Sequence, residues 1–453
     1  MNPLELRASL GLAGIYALRM LGMFLILPVF ALYAKTLPGA TSATWIGIAL
    51  GSYGLTQALL QLPFGMLSDR IGRKKVIYFG LLLFAAGSFV AANAHDIGWL
   101  IAGRVIQGSG AISAAVTALL ADLTREQNRT KAMALIGMSI GTTFAVSLVL
   151  GPLLAHWIGV NGIFALTGIL TLMALVGVKY IIPNPVISRF HSDTETNTSR
   201  LKDVLRDPQL LRLNYGIFTL HAAQMSMFVV IPFALITTGH LDKAHHWEVY
   251  LPVTVGGFML MVPAIIYGET RNRLKQVFVG AIALMTLAQL GMAYALSSFW
   301  MIVAWLGCYF VAFNILEATL PSIISKIAPA DAKGTAIGVY NTAQSFGLFL
   351  GAAAGGLLYT HFGSIGVFSF TGAMMFSWLL LALTMVPPDS VKSMMFHIGE
   401  NWRGNPVELS RLLAVQRGVK EAVVLLEERV AYLKVSQKDW DEASVQQLIQ
   451  ETN

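Results

Sequence analysis

Apolar residues in this chain form long runs that are separated by short polar stretches. Each run has about 20 residues or more, the length at which a helix rising about 1.5 Å per residue crosses the roughly 30 Å hydrocarbon core of a bilayer. The pattern therefore predicts twelve membrane-spanning helices, here called spans 1–12. In chain order they cover residues 10–34, 45–67, 76–94, 98–121, 133–156, 162–182, 209–236, 249–268, 277–296, 299–325, 333–359 and 364–386.

The longest polar stretch, residues 183–208, divides the spans into two sets of six. Its segment 188–200 has the composition of a flexible linker. The two sets resemble each other faintly, because span 2 closes with Gly65-Met66-Leu67-Ser68-Asp69-Arg70 and span 8 with Gly268-Glu269-Thr270-Arg271-Asn272-Arg273. Duplicated halves are a recognised architecture of polytopic membrane proteins. We therefore predict an all-α polytopic membrane protein with one six-helix half at 1–182 and another at 209–386.

The character of the chain changes after Pro387-Pro388. Residues 389–453 are charged and contain no apolar run long enough to span a bilayer. Their patterns predict strands at 394–398, 422–426 and 431–435 and helices at 406–417 and 439–450. The last two strands flank Glu427-Glu428-Arg429, which favours a hairpin. The tail is predicted to be a small α+β domain.

Composition supports a membrane protein. Hydrophobic residues make up 55% of the chain and charged residues only 12%, against about 25% charged in ordinary soluble domains. The net charge of +7 does not indicate a nucleic-acid partner, because the basic residues gather in short loops between the apolar runs. The single cysteine, Cys308, excludes an intrachain disulfide and a thiolate metal cluster. No cofactor is expected.

The loops give an orientation. Eighteen Lys and Arg residues fall in one set of loops, whereas the opposite set holds only Lys35 and Lys243. Loops rich in these residues face the cytoplasm. The first run is too long for a signal-peptide core and lacks a clear cleavage site, so it is interpreted as an uncleaved span. A multi-pass protein with both termini in the cytoplasm follows.

The strongest motif lies in the tight loop between spans 2 and 3. It reads Gly65-x-x-x-Asp69-Arg70-x-Gly72-Arg73-Lys74. Glycine allows close approach of helix and loop, and a carboxylate accepts hydrogen bonds from a helix N-terminus or from an arginine. Such a charged latch would hold one arrangement of the two halves and release it in the other. The alternative is a basic cytoplasmic loop with incidental charges.

This motif resembles the signature loop of the major facilitator superfamily. Residues 100–111 (Leu-Ile-Ala-Gly-Arg-Val-Ile-Gln-Gly-Ser-Gly-Ala) resemble its fourth-helix motif, and residues 21–28 (Leu-Gly-Met-Phe-Leu-Ile-Leu-Pro) its first-helix motif. The resemblance covers residues 10–386 and is to the drug–proton antiporter group. It implies that Asp69, Arg73 and Asp122 form a charge cluster near the start of span 11 that stabilises the outward-open state.

One departure concerns span 5. Antiporters of the group carry Gly, three residues, Gly-Pro, two residues and Gly-Gly, whereas this chain has Ser147 followed by Gly151-Pro152 and then Leu153-Leu154-Ala155-His156. The Gly-Pro kink is kept and the flanking small residues are not. Proton antiport therefore rests on weaker ground than membership of the superfamily.

Two arginines lie inside predicted spans, where ionisable groups are costly and usually functional. Arg19 is near the middle of span 1 and is expected to face a central cavity, where it would meet an anionic substrate group or an acidic partner. The alternative is an arginine bonded to helix carbonyls. Arg104 is nearer the outer end of span 4. The resemblance implies a proton-coupling role for it, and snorkelling outward is the alternative.

Two titratable residues are candidate proton carriers. Glu317 in span 10 is the only carboxylate well inside any predicted span. A carboxyl that leaves water for apolar surroundings holds its proton more tightly, so Glu317 is the preferred carrier. The alternative is that the Glu317 carboxyl group only packs helices together, hydrogen-bonded to a neighbour such as Asn314. His221, near the middle of span 7, changes charge near physiological pH, or is a satisfied packing residue.

Uncharged polar and aromatic side chains within the spans predict an amphipathic substrate cavity. Each of them singly could instead join helices by hydrogen bonds. The cavity set comprises Tyr16, Arg19, Gln57, Gln224, Asn341 and Gln344, with Gln61, Met20, Phe228 and Phe346 as further members.

Neither histidines nor the tail predict a metal site. His240, His245 and His246 crowd one outward loop but lack a fixed helical spacing, so a solvated loop is preferred. The tail resembles a heavy-metal-associated, ferredoxin-like domain through Gly418–Val423 and Ala431–Val435. Where that family has metal-binding cysteines, residues 399–405 hold none. The tail is either a regulatory domain with a cytoplasmic ligand or partner, or a stabilising appendage.

Together these features predict a proton-coupled transporter in a bacterial inner membrane. It would export small hydrophobic or cationic compounds as its two halves rock around a site at the membrane midplane. Two alternatives stay open: proton-coupled uptake of an organic anion by way of Arg19, and a membrane sensor that acts through the C-terminal domain. An enzyme is not expected, because the sequence has no nucleophile–base pair or phosphate-binding loop.

Overall fold

The computed structural model describes residues 1–184, 201–271, 273–329, 332–386, 391–398, 404–425, 429–436, 440–441, 445–446 and 448. The predicted flexible segment 188–200 and most of the predicted helix 439–450 lie outside these residues. The helices of the membrane part are α1 (Pro3–Leu25), α2 (Leu27–Ala34), α3 (Ala43–Ile71), α4 (Arg73–Ala92), α5 (Ile97–Ser109), α6 (Ser113–Asp122), α7 (Glu126–Tyr180), α8 (Leu201–Val204), α9 (Pro208–Thr237), α10 (Trp247–Thr270), α11 (Leu274–Tyr294), α12 (Phe299–Ile327) and α13 (Lys333–Leu383).

Two of these helices are pairs joined at a glycine corner. α7 contains Gly159 at φ 69° and α13 contains Gly363 at φ 63°. Both angles lie in the left-handed region that only glycine enters without strain. Each corner lies between two predicted spans, so α7 supplies spans 5 and 6 and α13 supplies spans 11 and 12.

The predicted helices are confirmed. Among the described residues, nine segments are long and apolar enough to cross a membrane, and two of these are the cornered pairs. α3 is more polar, but with 29 residues it is long enough to be span 2. Spans 1 and 4 are each interrupted once, between α1 and α2 and between α5 and α6. Counted in this way, the described part of the chain contains twelve membrane-spanning helices.

Aspartates just before the first turn cap the N-termini of two helices, α9 and α5. Asp207 precedes Pro208 and accepts hydrogen bonds from the backbone N–H groups of Gln209 and Leu210. Asp96 caps α5 in the same way through Trp99. A carboxylate before the first turn, with proline at the first helical position, satisfies backbone donors that have no partner inside the helix.

Buried apolar residues form two large clusters in the membrane part. One is confined to the first half of the chain and includes Leu12, Phe84 and Leu119. The other joins both halves, since it contains Phe30 and Leu50 as well as Phe228 and Phe310. Its members from the first half come from α2, from the beginning of α3 and from their neighbours. The two halves therefore share a core at one end of the bundle.

The tail forms a small α+β unit, as predicted. Strands β1 (Val391–His397), β2 (Val419–Leu425) and β3 (Val430–Ser436) form an antiparallel sheet in the order β1-β3-β2, and α14 (Pro406–Ala414) packs against it. β2 and β3 are paired as the predicted hairpin, with Val423 opposite Tyr432. A shift in the register lies between Val419 and Glu421.

Glu5 links the beginning of α1 to the segment between α6 and α7. Its Oε1 accepts hydrogen bonds from the backbone N and the Nε of Arg125, both at 2.9 Å. Its Oε2 accepts from Asn128 Nδ2 at 2.9 Å, from Arg125 Nη2 at 3.2 Å and from the backbone N of Asn2 at 2.8 Å. The side chain of Glu5 is only 3% exposed. A carboxylate with this many donors is strongly stabilised in its charged form.

Replacing Glu5 by glutamine is expected to lower the thermal stability of the protein. Glutamine keeps the size of the side chain, but its NH₂ group would face N–H donors where Oε2 now accepts. We expect a loss of about 2 kcal/mol, because one set of charge-assisted hydrogen bonds is removed. Thermal unfolding of the purified protein in detergent measures it. Glu269→Gln, at an exposed position, is the control. Equal melting temperatures for the two variants would contradict the prediction.

Candidate functional site

Glu317 lies within α12 and is partly accessible there. Its side chain is 37% exposed although the residue stands well inside a 29-residue helix. The Oε2 atom itself is buried and lies 3.8 Å from Nε2 of His221 on α9. One side of the carboxyl group is therefore not covered by protein, and we interpret that side as bordering a crevice between helices.

His221 is buried, at 5% exposure, and its hydrogen bonds define its tautomer. Nδ1 lies 3.2 Å from the carbonyl oxygen of Ile217. A carbonyl only accepts, so Nδ1 carries the proton. Nε2 lies 2.7 Å from Nε2 of Gln344 on α13, whose amide group donates to it. The imidazole is therefore neutral in this arrangement.

A glycine pattern brings Gln344 next to His221. Gly347 and Gly351 follow Gln344 at helical spacing, and a Cβ atom on either would overlap the backbone of Phe218 or Ala222 on α9. Ser226 Oγ also donates to the carbonyl oxygen of Gly351 at 2.8 Å. Small residues at such spacing let helix backbones approach closely in membranes. The contact holds the polar side chains of α9 and α13 within hydrogen-bonding distance.

The group formed by His221, Glu317 and Gln344, here called the HEQ triad, links α9, α12 and α13 through polar contacts. A proton added to Nε2 of His221 would remove the acceptor that the Gln344 amide now uses. The same proton would create an ion pair with Glu317, whose Oε2 is already 3.8 Å away. One protonation event therefore changes the contacts among three helices.

The remaining predicted cavity residues lie at various depths. Asn341 and Gln344 are half-buried on α13, whereas Gln57, Gln61 and Gln224 are buried. Tyr16 is buried and its hydroxyl lies 2.7 Å from Ser113 Oγ. Of the predicted set, the structure brings Gln344 into hydrogen-bonding distance of a candidate proton carrier. The polar neighbour described for Glu317 is His221 rather than Asn314.

The two predicted arginines lie within the first half. Arg19 is fully buried, and its Nη2 donates to the carbonyl oxygen of Gly110 at 2.9 Å and to the Tyr53 hydroxyl at 3.2 Å. Arg104 is 2% exposed, and its Nη1 donates to Gln107 Oε1 at 2.9 Å. Arg19 thus makes the carbonyl contact that the alternative interpretation describes, and in this state it does not border an open cavity.

Asp69, Arg73 and Asp122 of the predicted charge cluster lie together, whereas the position of the cluster near the start of span 11 stays a prediction. Arg73 is ion-paired with Asp69, and its Nε lies 3.4 Å from Oδ2 of Asp122. Gly72 has φ 104° and allows α4 to begin at once after α3. Gly65 approaches Ala114, with 3.2 Å between an added Cβ and the Ala114 Cβ, while Arg70 is exposed. The cluster ties α3, α4 and α6 together.

Gly151 and Pro152 lie inside α7, which stays helical on both sides of them as far as Gly159. A Cβ atom on Gly151 would overlap the carbonyl oxygen of Leu25 and approach Pro28 to 3.0 Å. The glycine therefore lets α7 touch the chain at the break between α1 and α2.

A second glycine pattern joins the two halves at the end where they share a core. Added Cβ atoms on Gly47, Gly51 and Gly54 of α3 would run into the backbone of α13 at Ala352, Phe349 and Ser345 respectively. Thr44 and Thr360 lie just beyond this contact, with 3.3 Å between their hydroxyl oxygens. We call this end of the bundle the Thr44–Thr360 end. The Asp69 cluster lies at the opposite end of α3.

Two features of the site region were not found from the sequence. Tyr53, which contacts both buried arginines, gave no signal because it is an ordinary aromatic residue in an apolar run. Glu5 does carry a signal, because Asn2-Pro3-Leu4-Glu5 is a capping box: the Asn2 side chain accepts from the backbone N–H of Glu5, and the Glu5 side chain accepts from that of Asn2. That spacing is readable in a sequence.

Comparison with known proteins places the chain among transporters. The model of the family described as Major Facilitator Superfamily matches residues 12–352 and 267–413. The chain is 45% identical over 452 residues to the inner membrane transport protein YajR of Escherichia coli (strain K12), which covers 100% of this chain and 99% of the relative. It is 27% identical over 378 residues to multidrug resistance protein 2 of Bacillus subtilis (strain 168), covering 81% of this chain and 91% of that protein.

A solved structure with the same fold is that of a bacterial homolog to the human lysosomal transporter Spinster. It superposes with a TM-score of 0.64 at 15% sequence identity, and the match covers 84% of this chain and 96% of that chain.

Proposed function

The chain belongs to the Major Facilitator Superfamily, and on this premise we propose that it is a proton-coupled secondary transporter that exports small hydrophobic or cationic compounds. The HEQ triad is the observation that carries the proposal. It combines a partly accessible carboxyl group with a buried imidazole 3.8 Å away. Proton-coupled exchange needs a group that holds either a proton or a substrate, and in this proposal Glu317 is that group.

The exchange follows from electrostatics. Deprotonated Glu317 would attract a cation that enters the crevice, and an incoming proton would neutralise the carboxylate and release the cation. Each charge that crosses the membrane contributes about 2.3 kcal/mol per 100 mV. His221 would share the proton with Glu317. Loss of the hydrogen bond between Gln344 and His221 would then change how α9 holds α13, the helix that also packs against α3 of the first half.

The orientation proposed from the loop charges allows the structure to be assigned to one conformational state of the transport cycle. Both termini would then lie in the cytoplasm, and the Thr44–Thr360 end would face outward. Because the glycine pattern closes that end, we assign the structure to an inward-open state. The Asp69 cluster would support the opposite, outward-open state when the cytoplasmic ends of α3 and α13 come together.

Two observations favour cationic or hydrophobic substrates. Two aromatic rings lie on the His221 side of the HEQ triad: Phe313 lies 6.1 Å from the His221 ring and Phe144 lies 5.8 Å from Phe313, measured between centroids. Aromatic faces attract cations and apolar molecules. A relative with 27% identity is named a multidrug resistance protein.

The test is a pH gradient in energised inverted vesicles that contain the protein. Lipophilic cations such as tetraphenylphosphonium and ethidium are added, and the internal pH is followed with a fluorescent dye. We expect at least one cation to dissipate the gradient in these vesicles and not in vesicles without the protein. If organic anions dissipate it and no cation does, proton-coupled export of cations is excluded and the uptake alternative takes its place.

A further inference from the structure

Two arginine side chains are buried in the first half against the same tyrosine. Arg19 is 0% exposed and Arg104 is 2% exposed. Tyr53 contacts both of them: its hydroxyl accepts a hydrogen bond from Arg19 Nη2 at 3.2 Å, and its ring centroid lies 4.8 Å from the Arg104 Cζ. A guanidinium group keeps its charge in proteins, so this part of the core holds two neighbouring positive charges.

The hydrogen bonds of the two arginines are incomplete. Arg19 uses Nη2 for Gly110 and Tyr53, whereas its Nε and Nη1 are buried without an acceptor. Arg104 uses Nη1 for Gln107 and Nη2 for the carbonyl oxygen of Leu50 at 3.4 Å, and its Nε is buried without an acceptor. Three guanidinium nitrogens thus point into the protein with nothing to receive their protons.

The surroundings do not neutralise these charges. Within the part of the chain that the structure describes, no carboxylate lies within ion-pair distance of either arginine. The guanidinium groups instead lie over aromatic rings, with the Arg19 Cζ 5.3 Å from the Phe84 ring centroid and the Arg104 Cζ 5.8 Å from that of Phe30. Buried charges are stable only when they are paired. In addition, α6 begins at Ser113, just after the interruption that contains Gly110, and carries no side-chain cap.

We propose that a small monovalent inorganic anion, chloride in the cell, binds between Arg19 and Arg104. Such an ion accepts several N–H bonds at once and would satisfy the unpaired nitrogens of both guanidinium groups. It would also supply the missing negative charge, and the N-terminal end of α6 favours an anion in the same region. The almost complete burial of both side chains excludes a drug-sized anion in this state. The site lies in the first half and shares no residue with the HEQ triad, so the test below does not depend on proton-coupled export.

The test is equilibrium binding of radioactive chloride to the full-length protein in lipid nanodiscs, in gluconate buffer. We expect saturable binding of about one ion per protein, displaced by bromide. Arg19→Gln and Arg104→Gln should each weaken binding at least tenfold, whereas Arg212→Gln, in the second half, should leave it unchanged. Size-exclusion profiles verify that the variants are folded.

Crystals grown in bromide give a second measurement that needs no variant. An anomalous peak within about 4 Å of both guanidinium groups is expected, the range over which charged groups form direct pairs. Wild-type protein that binds no halide would mean that water fills the space and would overturn the proposal. Halide binding that survives in both arginine variants would overturn it as well. Neither result depends on whether the protein transports cations.

Discussion

Vesicles that contain the Glu317→Gln variant are expected to keep their pH gradient when a cationic substrate is added. Glutamine fills the same space beside His221 but can neither release a proton nor carry a negative charge. Loss of a contact between a charged group and a cation costs about 1.5–3 kcal/mol, which corresponds to roughly 10–100-fold weaker binding. Proton flux driven by the cation should therefore fall to the background of vesicles without the protein.

Binding measurements separate this effect from misfolding. The wild type should bind the cation more tightly as the pH rises, because proton and cation compete for one carboxyl group, whereas Glu317→Gln should bind it weakly at every pH. Glu248→Gln is the matched control, because that side chain is 48% exposed in the first turn of α10. Cation-driven proton flux that persists in Glu317→Gln would remove Glu317 from the mechanism.

Replacing Gly47 by alanine is expected to prevent closure of the Thr44–Thr360 end and to stop transport. The new methyl group would overlap the carbonyl oxygen of Ala352, which is backbone and cannot move away as a flexible side chain can. Alanine favours helix over glycine by about 1 kcal/mol, so α3 itself would remain helical. The cost falls on the contact between the halves, and the population should shift to the state in which this end is open.

A disulfide measures that shift without a substrate. Thr44→Cys and Thr360→Cys, in a protein with Cys308→Ser, place two thiols where the hydroxyl oxygens are now 3.3 Å apart. Oxidation should link them readily in this background and much more slowly when Gly47→Ala is added. Gly280→Ala is the control, because a Cβ atom there meets nothing within 4 Å. Equal rates of linkage with and without Gly47→Ala would refute the role given to this contact.

The spans could be predicted because membrane insertion depends on hydrophobicity summed along about 20 residues, a property that is local in sequence. The corners at Gly159 and Gly363 fall in the predicted gaps for the same reason. α3 shows the limit of hydropathy, because it is more polar than the other spans. Some of its polar residues contact other helices: Thr56 Oγ1 donates to the carbonyl oxygen of Val105, and Thr44 lies against Thr360.

The candidate site could be predicted only residue by residue. The sequence indicates Glu317 and His221 separately, and it offers Asn314, three residues away on the same helix, as a packing partner in the alternative interpretation of Glu317. The partner described is His221, almost one hundred positions earlier, and its distance depends on how α9, α12 and α13 are rotated. Hydropathy in spans that are apolar on all sides does not encode that rotation. The burial of Arg19 against Tyr53 and Gly110 was hidden for the same reason.

The glycine corners at Gly159 and Gly363 have a consequence for biosynthesis. Each leaves almost no polar loop between two apolar helices, so the first helix of a pair has no stable end on the far side of the membrane until the second has been made. At about 5–20 residues per second, the 50-residue and 51-residue segments keep the first helix waiting for seconds. Each pair is therefore expected to enter the bilayer together, as a helical hairpin.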